Sequence, residues 1–85
     1  QGVCAGIPDL SLPIAASGFN GLYIEMKRPI IKGKPKPRLS DSQKEKIHLL
    51  IASGYAVCVC YGWQQAREMI TNYLNHDLSK EDFFN

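Results

Sequence analysis

Between Gly21 and Arg28 the side chains alternate strictly, with Leu22, Ile24 and Met26 on one side and Tyr23, Glu25 and Lys27 on the other. A period of two predicts a strand with an apolar core face and a polar face. The residues beyond it limit how that strand can be used. Ser40 has Gln43 three residues on, the pattern of a capping box, and Ile47, Leu50 and Ile51 then recur at helical spacing. The spacing predicts a one-sided helix of about 13 residues, ended by Gly54. The uncharged, Val- and Tyr-rich run Tyr55–Tyr61 reads as a strand covered on both faces. A strand–helix–strand crossover makes the two strands parallel. Upstream, Asp9–Ile14 alternates Leu10, Leu12 and Ile14 against Ser11 and Pro13, and turn residues from Ser17 to Gly21 join it to the next strand as an antiparallel hairpin. After Gly62, residues Ala66, Met69, Ile70, Tyr73 and Leu74 mark a second amphipathic helix to Asn75, with Trp63 expected to anchor it on the sheet. The expected fold class is therefore α/β, a small mixed sheet flanked by helices.

The chain has 85 residues, enough for one domain with a small core. The core is expected over residues 1–76, with a polar tail over 77–85 that carries Leu78, Phe83 and Phe84 and either frays or forms one turn capped by Ser79. Hydrophobic residues at 45% and charged residues at 21% exclude wholesale disorder. No stretch approaches the ~20 apolar residues of a membrane span, and Gln1-Gly2-Val3-Cys4, with no basic start before an apolar run, does not read as a secretory leader. Three cysteines, Cys4 and the Cys58/Cys60 pair, do not make a disulfide framework and favour a reducing compartment. Cys58 and Cys60 are expected to be small core residues. His48 and His76 lack zinc-finger spacing and read as exposed polar residues of the helices.

The net charge of +2 conceals a concentrated charge. Six of the ten basic residues (Lys27, Arg28, Lys32, Lys34, Lys36 and Arg38) lie between positions 27 and 38, and none of the eight acids does. Pro29, Pro35 and Pro37 bar a helix there and favour an extended path. Such a run is either a solvated linker or a phosphate-contacting arm. Its position after the polar strand favours the arm. On that strand Glu25 and Lys27 point the same way, which by itself describes an ordinary surface ion pair. The hairpin, however, brings Asp9 beside Glu25, and two converging carboxylates repel unless a cation lies between them. Asp9, Glu25 and the Met26 backbone carbonyl form an oxygen donor set suited to Mg²⁺, which keeps several waters. Lys27 can then orient water and stabilise charge on a phosphate.

Pro8-Asp9 followed by Glu25-Met26-Lys27 resembles the PD-(D/E)-x-K nuclease signature. The flanking segments Gly2-Val3-Cys4-Ala5-Gly6-Ile7-Pro8-Asp9-Leu10, Gly21-Leu22-Tyr23-Ile24-Glu25-Met26-Lys27-Arg28, Leu39-Ser40-Asp41-Ser42-Gln43 and Ala52-Ser53-Gly54-Tyr55-Ala56-Val57 resemble the VRR-NUC branch. That branch includes phage and bacterial stand-alone nucleases and the nuclease module of a eukaryotic crosslink-repair enzyme. The resemblance covers residues 2–75. It implies a restriction-endonuclease-like αβββαβ core and a Mg²⁺- or Mn²⁺-dependent DNA endonuclease. It gives Asp9 and Glu25 the metal-ligand role, Lys27 that of catalytic lysine, and Gln43 that of the family's site glutamine. It further implies a cytoplasmic protein of a bacterium or phage-infected cell, a dimer, and action on branched DNA such as four-way junctions. The family core opens with a helix and a strand ahead of the Pro-Asp segment, and the 85 residues do not include them. Either the sequence is a piece of a longer protein that supplies them, or a partner copy or second chain completes the fold, since an open sheet edge invites pairing.

Several residues carry two readings. Gln43 serves the capping box and also lies on the inward stripe of its helix. Tyr23 shares the Glu25 face and either lines a DNA groove or packs. Arg28, Lys32, Lys34, Lys36 and Arg38 are expected to contact the phosphate backbone as a group, with Lys44 and Lys46 extending the surface. The competing function is a catalytically silent nucleic-acid-binding or assembly module of the same fold. A third is a nuclease acting on RNA.

Overall fold

The alternating segment becomes β2, Leu22–Lys27, the central strand of a three-stranded sheet in a computed structural model that describes residues 8–78. β1, Leu10–Leu12, pairs antiparallel with it in the register Leu10↔Ile24, Ser11↔Tyr23 and Leu12↔Leu22. The helix α1, Asp41–Ala52, crosses over to β3, Ala56–Tyr61, which runs parallel to β2 with Glu25 opposite Val59. The last element is α2, Trp63–Leu74. The order ββαβα gives the mixed α/β sheet that the sequence predicts, with β1 shorter than the Asp9–Ile14 alternation. Among the described residues, no helix is long and apolar enough to cross a membrane.

The two faces of β2 are used differently. Leu22 and Ile24 are buried beneath α2 in a cluster with Ala56, Cys58, Cys60, Ala66 and Tyr73. On the opposite face α1 packs on β3, burying Ile47 and Val57. That face also carries Glu25 and Lys27, so α1 sits beside the polar side chains. Cys58 and Cys60 are free thiols inside the core, in their expected place. Cys4 and the turn expected from Ser79, with Phe83 and Phe84, lie outside the described residues.

Helix boundaries follow local chemistry. The capping box at α1 is complete: the Gln43 N–H donates to Ser40 Oγ at 3.1 Å, and the Ser40 N–H donates to Gln43 Oε1 at 2.8 Å. Gly54, at φ +91°, turns the chain from α1 to β3, and a Cβ there would stand 2.6 Å from Asn20 Nδ2. Gly62, at φ +98°, separates β3 from α2 and donates to the Lys27 carbonyl at 3.0 Å.

Trp63 does not anchor α2: it is 66% exposed. Ala66 and Tyr73, two helical turns apart, hold the helix instead. Trp63 borders an open groove with Leu10, Leu12 and Ile70 at the margin of the short strand β1, so it has a sheet edge rather than a sheet face beneath it. Leu74, also expected inward, is exposed at the end of the helix.

Tyr73 ties α2 to the hairpin loop. Its hydroxyl donates to the Ile14 carbonyl at 2.7 Å and accepts from the Ala16 N–H at 3.2 Å. Ser17, at φ +52°, donates through its hydroxyl to the Tyr73 carbonyl and through its N–H to His76 Nδ1. His76 is thus a clasp just beyond α2 rather than a polar residue on a helix. Tyr73→Phe keeps the buried ring and removes both loop bonds. It is expected to cost about 1–3 kcal/mol, read as a lowered urea midpoint at unchanged m-value.

Candidate active site

Glu25 and Lys27 lie two residues apart on β2 and therefore share a face. Glu25 is 3% exposed, the one charged residue in the buried core among those described, while Asp9 is exposed just ahead of β1. The antiparallel register sets Asp9 across from Glu25 by extension of the Leu10↔Ile24 pair. Asp9 Oδ2 accepts the Met26 N–H at 2.8 Å, so the main chain of β2 itself orients this carboxylate.

Gln43 connects the other two groups. Its Nε2 donates to Glu25 Oε2 at 2.8 Å, and its Oε1 accepts from Lys27 Nζ at 3.3 Å. Lys27 Nζ also stands 3.6 Å from Glu25 Oε2. The amide orientation is fixed by the helix cap. Ser40 presents an N–H, so Oε1 must face Ser40, and Nε2 is left to face Glu25. The capping and site-supporting readings of Gln43 are therefore one arrangement. Gln43→Glu keeps the cap, since glutamate serves equally at this position, but it can no longer donate to Glu25. The variant is expected to retain α1 helicity by circular dichroism and to bind Mn²⁺ with an affinity changed by roughly 10–100-fold; an unchanged affinity would show that the amide does nothing for the site.

Burial raises the Glu25 carboxyl above its ordinary value of 4.5, and the negative charge of Asp9 raises it further. Lys27 works in the opposite direction and offsets part of the rise. A buried carboxyl whose ionisation is disfavoured by burial and by a second carboxylate beside it, with one ammonium to offset them, is a place where an added cation is favoured. A divalent cation fits the chemistry of this donor set: hard carboxylate oxygens, one buried and one exposed. Among the described residues no group of three or more His, Cys, Asp and Glu gathers to hold a metal. The protein side would therefore be Asp9, Glu25 and a main-chain oxygen, that of Met26, which follows Glu25 on β2.

The remaining predicted residues lie around this cluster. Tyr23 is half-buried on the same face and meets Tyr55 edge-on, ring centroids 5.3 Å apart at 80°. The basic segment is exposed throughout at Arg28, Lys32, Lys34, Lys36 and Arg38. Two of these pin it: Arg28 Nη2 donates to the Pro35 carbonyl at 3.3 Å, and Lys36 Nζ lies 4.8 Å from the centre of the Tyr61 ring. Tyr61 pairs with Lys27 across the sheet, so the arm is fastened beside the lysine. The period-two rule places Tyr61 on the Lys27 face, but nothing in the sequence specifies that Lys36 would be the residue to cover it.

The VRR-NUC domain family model matches residues 1–64 of the sequence. A solved structure titled "VRR_NUC domain protein" superimposes with a TM-score of 0.77 at 33% identity, covering 88% of this chain. The match spans 58% of the length of that structure's chain. No curated protein matches.

Proposed function

The chain belongs to the VRR-NUC domain family, a nuclease-type family, and we propose that it is a divalent-metal-dependent endonuclease that hydrolyses DNA phosphodiester bonds through Asp9, Glu25 and Lys27. The observation that carries this reading is the buried carboxyl group of Glu25, set beside Asp9 and joined to Lys27 through Gln43. Asp9 and Glu25 would hold Mg²⁺ or Mn²⁺ together with the Met26 carbonyl. When bound, such an ion supplies a more acidic water and charge neutralisation at a phosphoryl oxygen.

The chain's own residues do the rest. Hydrolysis forms one P–O bond from water and breaks another, and negative charge grows on the non-bridging oxygens in between. Lys27, held by Gln43 and Glu25, presents an ammonium to that charge without having to reorganise. The exposed cations of the arm would contact the phosphates on either side of the scissile one, which makes binding steeply salt-dependent. Four-way junctions and other branched DNA are the proposed substrates, and a dimer the proposed assembly.

The second reading, a binding module without activity, draws support from the presence of only two carboxylates at the site among the described residues. Circular plasmid separates the two readings. The proposed enzyme nicks or linearises it in Mg²⁺ or Mn²⁺ and stops in EDTA. A silent module retards it equally with and without metal and leaves it covalently closed. A parallel RNA substrate of the same sequence is expected to survive.

A further inference from the structure

The hydrogen-bonding direction of β2 can be read residue by residue. The Gly21 carbonyl accepts from Ala56 and the Lys27 carbonyl from Gly62, so the odd-numbered peptide groups of β2 face β3. The even-numbered ones face β1, where Leu22 pairs with Leu12 and Ile24 with Leu10. In an antiparallel ladder such residues exchange both N–H···O=C bonds with the residue directly opposite. The next even residue is Met26, and continuing the same register two positions, across the bend at Asp9, would set Pro8 opposite it. On that continuation, a residue other than proline at position 8 would offer its N–H to the Met26 carbonyl. Proline has none.

The other half of the same rung is also replaced. The Met26 N–H does not close a main-chain bond to position 8. It donates instead to the Asp9 carboxylate. Pro8 is buried, so its ring is held in place rather than left to solvent. The ladder therefore stops at Leu10↔Ile24, and the Met26 peptide is released on both sides for the site. Its N–H aims Asp9, and its carbonyl loses its ladder donor on the side where Asp9 lies.

We propose that Pro8 is a positioning residue of the metal site, keeping the Met26 carbonyl available by withholding the one main-chain donor that the sheet would otherwise supply. This rests on the reading of Met26 as a metal-facing carbonyl. It gives the Pro-Asp pair a division of labour: the aspartate is a ligand, and the proline prevents the sheet from closing over the neighbouring ligand.

Pro8→Ala restores the missing N–H while changing little else. In calorimetric titration with Mn²⁺ at pH 7.5 the variant is expected to bind roughly 10–100-fold more weakly than the wild type, the range of changes to groups that support a ligand. Its thermal midpoint should be unchanged or raised, because a rung has been added, and the new amide at position 8 should be protected from exchange. A wild type that binds Mn²⁺ and a folded Pro8→Ala protein that binds equally well would overturn the role of Pro8 and leave the metal site standing. A wild type that takes up no Mn²⁺ would overturn both. A second measurement needs no substitution. The chain has two methionines, Met26 and Met69, so carbonyl-¹³C methionine gives two carbonyl lines. Mg²⁺ is expected to shift the Met26 line and leave the Met69 line, which belongs to α2, in place. A Met26 line unmoved by Mg²⁺ that measurably binds would overturn the proposal.

Discussion

Replacing Lys27 by alanine is expected to slow Mg²⁺-dependent cleavage by about 10²–10³-fold, the usual cost of removing one preorganised electrostatic group from a transition state. Mn²⁺ binding should change far less, because the ammonium is not a ligand. The separation follows from geometry. Lys27 Nζ is held at 3.3 Å from Gln43 Oε1 and 3.6 Å from Glu25 Oε2, on the same face as the buried carboxylate. Its position is therefore set in advance, and in the proposed reaction its charge would act on the developing phosphate rather than on the ion. The alanine variant also removes the charge that partly offsets the raised Glu25 carboxyl. Metal uptake should then require a slightly higher pH, so the comparison belongs at pH 8. Single-turnover cleavage of a labelled junction, with Mn²⁺ affinity measured in parallel, gives both numbers. Cleavage within threefold of wild type would remove Lys27 from the chemistry.

Glu25→Gln is expected to abolish cleavage and metal uptake while making the metal-free protein more stable at neutral pH. Glu25 is 3% exposed, and its carboxyl is raised above 4.5 first by burial and then by Asp9. A folded-state value above the unfolded one means that the folded protein holds the proton more tightly. The stabilisation this gives is fully present below the unfolded value of 4.5 and is lost as pH rises through the folded value. As pH rises the wild type thus has to ionise a partly desolvated carboxyl beside Asp9. Glutamine carries no charge and ends that conflict. Metal binding has the opposite sign, since it requires the ionised carboxylate and releases its proton. Thermal unfolding at pH 5 and pH 7.5, with and without Mn²⁺, should therefore show three things. The metal-free midpoint of the wild type falls between the two pH values more than that of the variant does. Mn²⁺ raises the wild-type midpoint at pH 7.5. Mn²⁺ leaves the variant unmoved. A variant less stable than wild type without metal would mean that the Glu25–Lys27–Gln43 contacts outweigh the burial.

The parts of this fold that repeat with a period are legible in the sequence. The alternation of β2, the stripe of α1 with its Ser40–Gln43 cap and the uncharged β3 together define the parallel crossover, and the crossover puts α1 over the Glu25 face. The family model and the solved relative agree with that reading of the chain. What the sequence leaves hidden are single contacts between distant residues. The Tyr73 hydroxyl reaches the Ile14 carbonyl across 59 positions, and His76 reaches Ser17 across a similar gap. Neither bond leaves any periodic trace. Trp63 misled for a related reason: its size implies burial, but burial depends on how far β1 extends beneath it, which the helix pattern cannot encode. At the site, the residue types and their spacing were readable. The way Gln43 divides its two ends between Glu25 and Lys27 depends on the packing of α1 against the sheet, which no local pattern records.

Calorimetric titration of Mn²⁺ into the wild type, Asp9→Asn and Glu25→Gln at pH 7.5 tests most directly whether Asp9 and Glu25 jointly hold a divalent cation. Saturable uptake by the wild type that is lost in both variants is the predicted result. Uptake that persists undiminished in both variants, or a wild type that takes up none, contradicts it.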